Sequence, residues 1–161
     1  MKSEFNFPLH YHEELELNFI MNGKGAKRVA GDHIAEIDDL ELVLPGSNLP
    51  HVWTKHKCKS KEIKEITIQF HKNLLRRNQL SVIRNILEKS ARGLSFSKET
   101  TKQLMPRLNM LPQKQGFDSV LELISILHDL SISKNMHMLS DASFNNAFFI
   151  PAVVSKKYLS T

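Results

Sequence analysis

The chain has a single cysteine, Cys58. An internal disulfide framework is therefore excluded, and a reducing compartment such as the cytoplasm is the expectation. It has few aromatic residues, with one tryptophan and two tyrosines. No apolar stretch approaches the ~20 residues that cross a bilayer, so no membrane partner is expected. The opening Met1-Lys2-Ser3-Glu4-Phe5 lacks the basic-then-apolar pattern of a secretory signal. Internal repeats and low-complexity tracts are missing too. What the chain has is 161 residues with 41% hydrophobic side chains, enough for one packed domain with an appendage.

The charge is uneven. Residues 1–70 hold nine lysines and arginines against eleven acids, and residues 71–161 hold thirteen against six. Solvated helix faces account for such a basic surplus, and so does a surface near nucleic acid. Six of the eight histidines lie at or before His71. Two regions with different tasks are implied.

Residues 7–70 read as β-structure. Glu14 to Met21 alternates in character, the period-2 signal of a half-buried strand, and Asn22-Gly23-Lys24-Gly25 then predicts a hairpin. Lys27–Ala30, Ile34–Ile37, Leu40–Leu44 and Ile63–Phe70 read as further strands, with Gly31-Asp32 and Asp38-Asp39 as turns. Pro45 to Pro50 is a loop, and the basic run from Lys55 to Lys64 is a solvated loop in which Cys58 is an exposed thiol. His33 and His56 fall in turn or loop text. From about Asn73 the period becomes helical. Leu80, Ile83, Leu87, Ala91 and Leu94 form one stripe that stops at Gly93. Ser97 is placed to cap a second helix carrying Leu104, Leu108 and Leu111. Ser119 and Glu122 have capping-box spacing for a third, which carries Val120, Leu121, Leu123, Ile124, Ile126, Leu127 and Leu130. His128 and His137 lie in this helical part. Residues 134–161 read as a linker and tail, whose apolar run around Pro151 shows no helical face.

The segment richest in chemistry is His10-Tyr11-His12-Glu13-Glu14-Leu15-Glu16. In an extended chain His10, His12, Glu14, Glu16 and Asn18 share one face, and Leu15, Leu17, Phe19 and Met21 share the other. The polar face then borders a pocket, and the apolar face must be covered by the later helices or by a second subunit. His10, His12, Glu16 and His51 form a candidate metal set for Zn²⁺, Fe²⁺, Mn²⁺ or Ni²⁺. The alternatives are a hydrogen-bonded effector pocket that requires no cofactor and a structural polar cluster. Tyr11 and Trp53 lie beside these residues in the sequence. Trp53 is either a stacking surface for a sugar-like molecule or part of the core.

These residues carry a resemblance. His-x-His-x3-Glu-x6-Gly, at His10, His12, Glu16 and Gly23, matches the first cupin motif. The second is matched in part by Asp39, Pro45, Gly46 and His51. It departs where Asp39 stands for the usual Gly, in a Pro-to-His spacing one residue long, and in Lys55 at the usual Asn. With Asp39-Leu40-Glu41-Leu42-Val43-Leu44-Pro45-Gly46-Ser47-Asn48-Leu49-Pro50-His51-Val52-Trp53, the text resembles the N-terminal sensor domain of AraC-type transcriptional regulators. The stretch from Gly116-Phe117 to Leu130 is similar to that family's dimerisation helices. The resemblance implies a mainly β fold with α: a cupin-like small β-barrel over residues 1–72, then an antiparallel helical dimerisation segment over residues 73–133. It further implies a small effector, a homodimer, no enzymatic activity, and DNA contact only through a helix-turn-helix part. Residues 134–161 are too few to build that part. A small metal-dependent cupin enzyme, either a dioxygenase or a sugar isomerase, is the alternative built on the same residues. A pure interaction module is a third.

Overall fold

A computed structural model describes Phe5 and residues 8–141. The expectations for residues 142–161, including the apolar run around Pro151, lie outside the described residues. Among the described residues eight strands run β1 (Leu15–Met21), β2 (Lys27–Ala30), β3 (His33–Glu36), β4 (Leu40–Leu44), β5 (His51–Thr54), β6 (Lys64–Phe70), β7 (Leu94–Ser95) and β8 (His137–Met138). The α-helices among the described residues are α1 (Ser81–Ser90), α2 (Lys98–Met110) and α3 (Gly116–Ser131). All strand pairings are antiparallel. One sheet has the order β6-β1-β4-β7-β8 and the other β3-β2-β5. The architecture is thus mixed β and α. Among the described residues the two sheets do not close into a barrel. They are joined by turns and by an isolated bridge between His10 and His51.

The parity of β1 decides the layering. Leu15, Leu17 and Phe19 pack with Leu42, Leu44, Ile66, Ile68 and with Ile83, Ile86, Leu104, Leu108, Leu123, Ile126 and Leu127 of the three helices. The helices therefore supply the cover that the apolar face requires. Each such fully buried side chain contributes roughly 1.5–3 kcal/mol relative to exposure. On the opposite face Ile20 and Val43 meet Ala26, Ile37, Trp53, Cys58 and Ile63 in a second, smaller core. Cys58 is buried rather than exposed, because its loop folds back with the thiol 3.7 Å from the Asn22 carbonyl.

Several local expectations are corrected. Asn22 does adopt φ +61° and Gly25 φ +89°, yet no hairpin forms between β1 and β2. β1 pairs with β4 and β6, and the Asn-Gly turn instead carries the chain across to the other sheet. Leu94 leaves the helical stripe for β7, because Gly93 at φ +70° ends the turn that follows α1. The capping box at Ser119 is absent. α3 begins at Gly116, the Ser119 hydroxyl donates to the Gly116 carbonyl, and the Glu122 carboxylate is taken by Arg107. Ser97 does cap α2, accepting from the Thr100 amide. Residues 137–141 return to the sheet, with β8 alongside β7. Among the described residues no helix is long and apolar enough to cross a membrane.

Candidate metal and ligand site

Four of the residues singled out above converge. His10, His12, Glu16 and His51 are buried, and one ligand atom from each lies within 4.8 Å of the others. Glu16 comes from β1 and His51 from the start of β5. His10 and His12 lie on the extended segment leading into β1. That segment is pinned to the His51 loop by backbone bonds. The His10 amide donates to the His51 carbonyl at 3.2 Å, the His51 amide donates to the His10 carbonyl at 2.9 Å, and the Asn48 amide donates to the His12 carbonyl at 2.7 Å. Asn48 holds its turn at φ +63°, a region open to asparagine because its short polar side chain bonds locally. Glycine is required two residues earlier. The Gly46 amide donates to the Ser90 carbonyl at the end of α1 at 2.7 Å, and a Cβ on Gly46 would lie 2.6 Å from that backbone.

The tautomers follow from the partners. His10 Nδ1 meets the Pro8 carbonyl at 2.7 Å, His12 Nδ1 the Glu14 carbonyl at 2.8 Å, and His51 Nδ1 the Leu49 carbonyl at 2.7 Å. A carbonyl only accepts, so each Nδ1 carries its hydrogen and, in the neutral ring, each Nε2 presents a lone pair. His12 Nε2 lies 3.0 Å and His51 Nε2 3.6 Å from Glu16 Oε2. The ring centroids of His10 and His51 are 4.4 Å apart, and those of His12 and His51 are 5.2 Å apart. Such a buried arrangement of imidazole lone pairs around one carboxylate oxygen fits a divalent cation. Backbone carbonyls behind each ring provide the orienting support that metal-ligating histidines use.

The remaining expected residues are placed differently. Glu14 does not join the polar set. Its carboxylate is 47% exposed with Oε2 3.8 Å from His12 Nδ1, and its carbonyl takes the Nδ1 hydrogen at 2.8 Å. Tyr11 is half-buried and is not one of the four converging residues. Trp53 is buried with its ring centroid 5.9 Å from that of His51, and its indole N–H donates to Glu41 Oε2 at 2.7 Å. His33 is half-buried at 3.5 Å from Arg28, and the side chains of His56 and His128 are partly exposed.

Residues not anticipated as functional complete the polar interior. Gln69 stands opposite Glu16 in the β1–β6 register and donates to Glu16 Oε2 at 3.1 Å. Asn18 Oδ1 accepts from the Thr67 hydroxyl at 2.9 Å, and Glu65 Oε1 lies 3.3 Å from the same hydroxyl. Arg28 pairs with Glu41 in the interior. Burial pushes the Glu41 carboxyl above its ordinary range, while Arg28 and the Trp53 indole pull the other way. Strand parity was the available signal, because Glu65, Thr67 and Gln69 are the polar members of the alternating run at 63–70. Asn18 Nδ2 and Arg28 Nε are buried without a hydrogen-bond partner in the structure.

No protein-family model matches the chain, and no curated protein matches it. Among solved structures it is similar to ToxT from Vibrio cholerae, with 15% identity and a TM-score of 0.46, covering 77% of this chain. The chain spans about half of that structure's length, at 50%.

Proposed function

We propose that this chain is the ligand-sensing and dimerisation module of an AraC-type transcriptional regulator. A small polar effector binds between the two sheets beside His10, His12, Glu16 and His51. The carrying observation is a buried, imidazole-rich polar face on β1 whose opposite face packs against three helices. A structural core has no use for so many buried polar groups, and unpaired donors there are costly unless a ligand meets them. Asn18 Nδ2 and Arg28 Nε suit the oxygen acceptors of a sugar-like molecule. The loop carrying His51 is tied through Gly46 to the last turn of α1, so a change at the site is felt at the helices. Effector binding would bias two arrangements of those helices according to its affinity for each. Tyr11 and Trp53 are proposed to border the effector, and a DNA-reading part joined to the module would respond.

A thermal-shift screen with a panel of sugars tests this reading, since a ligand that binds only the folded state raises the melting temperature. Stabilisation by a sugar that is lost in His51→Ala supports it. No stabilisation by any member, with stoichiometric metal in the purified protein, favours the second reading.

That second reading is a small metal-dependent cupin enzyme, a dioxygenase or a sugar isomerase. It is favoured by His12 and His51 Nε2 at 3.0 and 3.6 Å from Glu16 Oε2, with a ligand atom of His10 within 4.8 Å of the set. His10, His12, Glu16 and His51 would hold the ion, which would polarise a bound oxygen as a Lewis acid. The Nδ1–carbonyl bonds would keep the rings oriented whether or not the ion is present. Metal analysis of wild type and His12→Ala decides between loaded and metal-free protein.

A further inference from the structure

Gln69 sits where the four-residue cluster meets an edge strand. Among the described residues β6 ends its sheet with β1 as its one ladder partner, and Gln69 faces Glu16 across that ladder. Its side-chain nitrogen lies 3.1 Å from Glu16 Oε2 and 3.4 Å from His12 Nε2. With the His12 ring neutral both are acceptors: the first is a carboxylate oxygen, and the second is the lone-pair nitrogen of a ring whose Nδ1 hydrogen is committed to the Glu14 carbonyl. The amide end facing them is therefore the NH2 group. These same two atoms, 3.0 Å apart, are the pair a cation would take. A carboxylate oxygen has a lone pair to spare, but an imidazole nitrogen has one only, and a donor resting on it competes with a metal for it.

We infer that the Gln69 amide is a neutral stand-in for the cation. It occupies the donor atoms of Glu16 and His12 in the metal-free protein and withdraws when an ion binds. This rests on the metal reading of the cluster. The consequence is a site that keeps Glu16 and His12 hydrogen-bonded without metal and binds metal reversibly. Gln69 is half-buried, whereas the four ligating residues are buried, so its side chain can turn outward while theirs are held by packing and backbone bonds. Gln69 is thus a positioning residue that sets affinity, not a ligand.

The test compares Zn²⁺ binding by calorimetry in wild type, Gln69→Leu and Gln69→Met, the last preserving chain length should leucine fail to fold. Melting temperature is measured with and without Zn²⁺. The expected result is tighter Zn²⁺ binding in the variants by about tenfold, within the range over which groups around a metal tune its affinity. The metal-free variants are expected to melt lower than wild type while the Zn²⁺-loaded forms melt alike. A merely structural glutamine would lower both melting temperatures equally and would leave affinity unchanged, overturning the inference while the metal reading stands. Absence of Zn²⁺ binding in wild type and in both Gln69 variants overturns the metal reading and the inference together.

Discussion

Arg28 and Glu41 face each other from the two sheets, both buried, with Trp53 donating to the second carboxylate oxygen. Neither charge has water to fall back on. Removing the guanidinium leaves Glu41 with a single indole donor in a site that already disfavours its ionised form. Arg28→Met is expected to lose about 3–5 kcal/mol in urea unfolding, the cost of stranding one member of a buried pair. Arg28→Met combined with Glu41→Leu is expected to recover most of that loss, because two apolar side chains leave no charge unpaired. A double variant no more stable than Arg28→Met alone would show that the pair does more than neutralise itself.

At the scale of elements, α2 gives a sharp test of local chemistry. Ser97 accepts from the Thr100 amide at 3.2 Å and shares a side-chain contact with the Thr100 hydroxyl. Ser97→Ala removes the cap and is expected to cost about 1 kcal/mol in denaturant stability. Ser97→Asp, which retains an acceptor and complements the helix dipole, is expected to hold wild-type stability. This cap was legible from the sequence, as were β2, β4, β6 and the division of β1 into a polar and an apolar face, since each rests on residues adjacent in the chain. β5 was missed because His51–Thr54 follows directly on the Pro45–Pro50 loop and is buried throughout its first three residues, so it shows no alternation, and β7 and β8 because two residues carry no period. The failed hairpin after Met21 and the failed capping box at Ser119 have a common cause. Both motifs were present, but partners distant in sequence claimed the groups: β4 and β6 took β1, and Arg107 took Glu122. Arg107 also donates to Asp129 and Ser125, fastening α2 to α3 by contacts that no local reading of either helix contains. The four converging site residues were readable from motif spacing, whereas Gln69 needed the β1–β6 register.

Over the whole molecule, two features join distant parts. The segment after α3 is fastened to the turn between β2 and β3. The Ser140 hydroxyl donates to Asp32 Oδ1 at 2.6 Å and the Asp141 amide to the same oxygen at 3.0 Å, while Arg92 donates to the carbonyls of Ser140 and Asp141. The Ser140 hydroxyl, with the Asp141 amide next in weight, holds the Asp32 carboxyl below its ordinary range. A lowered folded pKa means that the contribution is present above the unfolded value, about 4, and is lost as pH falls through the folded value. The stability advantage of wild type over Asp32→Asn is therefore expected to hold above about pH 4 and to shrink as the pH falls below it, measured by urea unfolding from neutral pH downward. An advantage constant across that window would show that the carboxylate charge is not what holds the segment. The second feature faces outward. Phe117 is 75% exposed, Leu121 53% and Val82 54%, and Phe117, Leu121, Ile124 and His128 follow one another along a single stripe of α3. Between α1 and α3 this stripe borders a groove of about 340 Å³ lined by Val82, Ile83, Leu121 and Ile124. A large apolar stripe beside a groove is poorly matched to water and well matched to a second copy, whose Phe117 would seek the same kind of cover. Because a two-fold interface presents the same patch twice, one substitution acts on both sides. Phe117→Glu with Leu121→Glu places four carboxylates in the contact and is expected to convert a dimer to a monomer by light scattering. Both side chains are exposed and outside the helix-facing core, so the helical circular dichroism should stay unchanged. A wild type that scatters as a monomer, or a doubly charged variant that remains a dimer, would remove this face from the assembly.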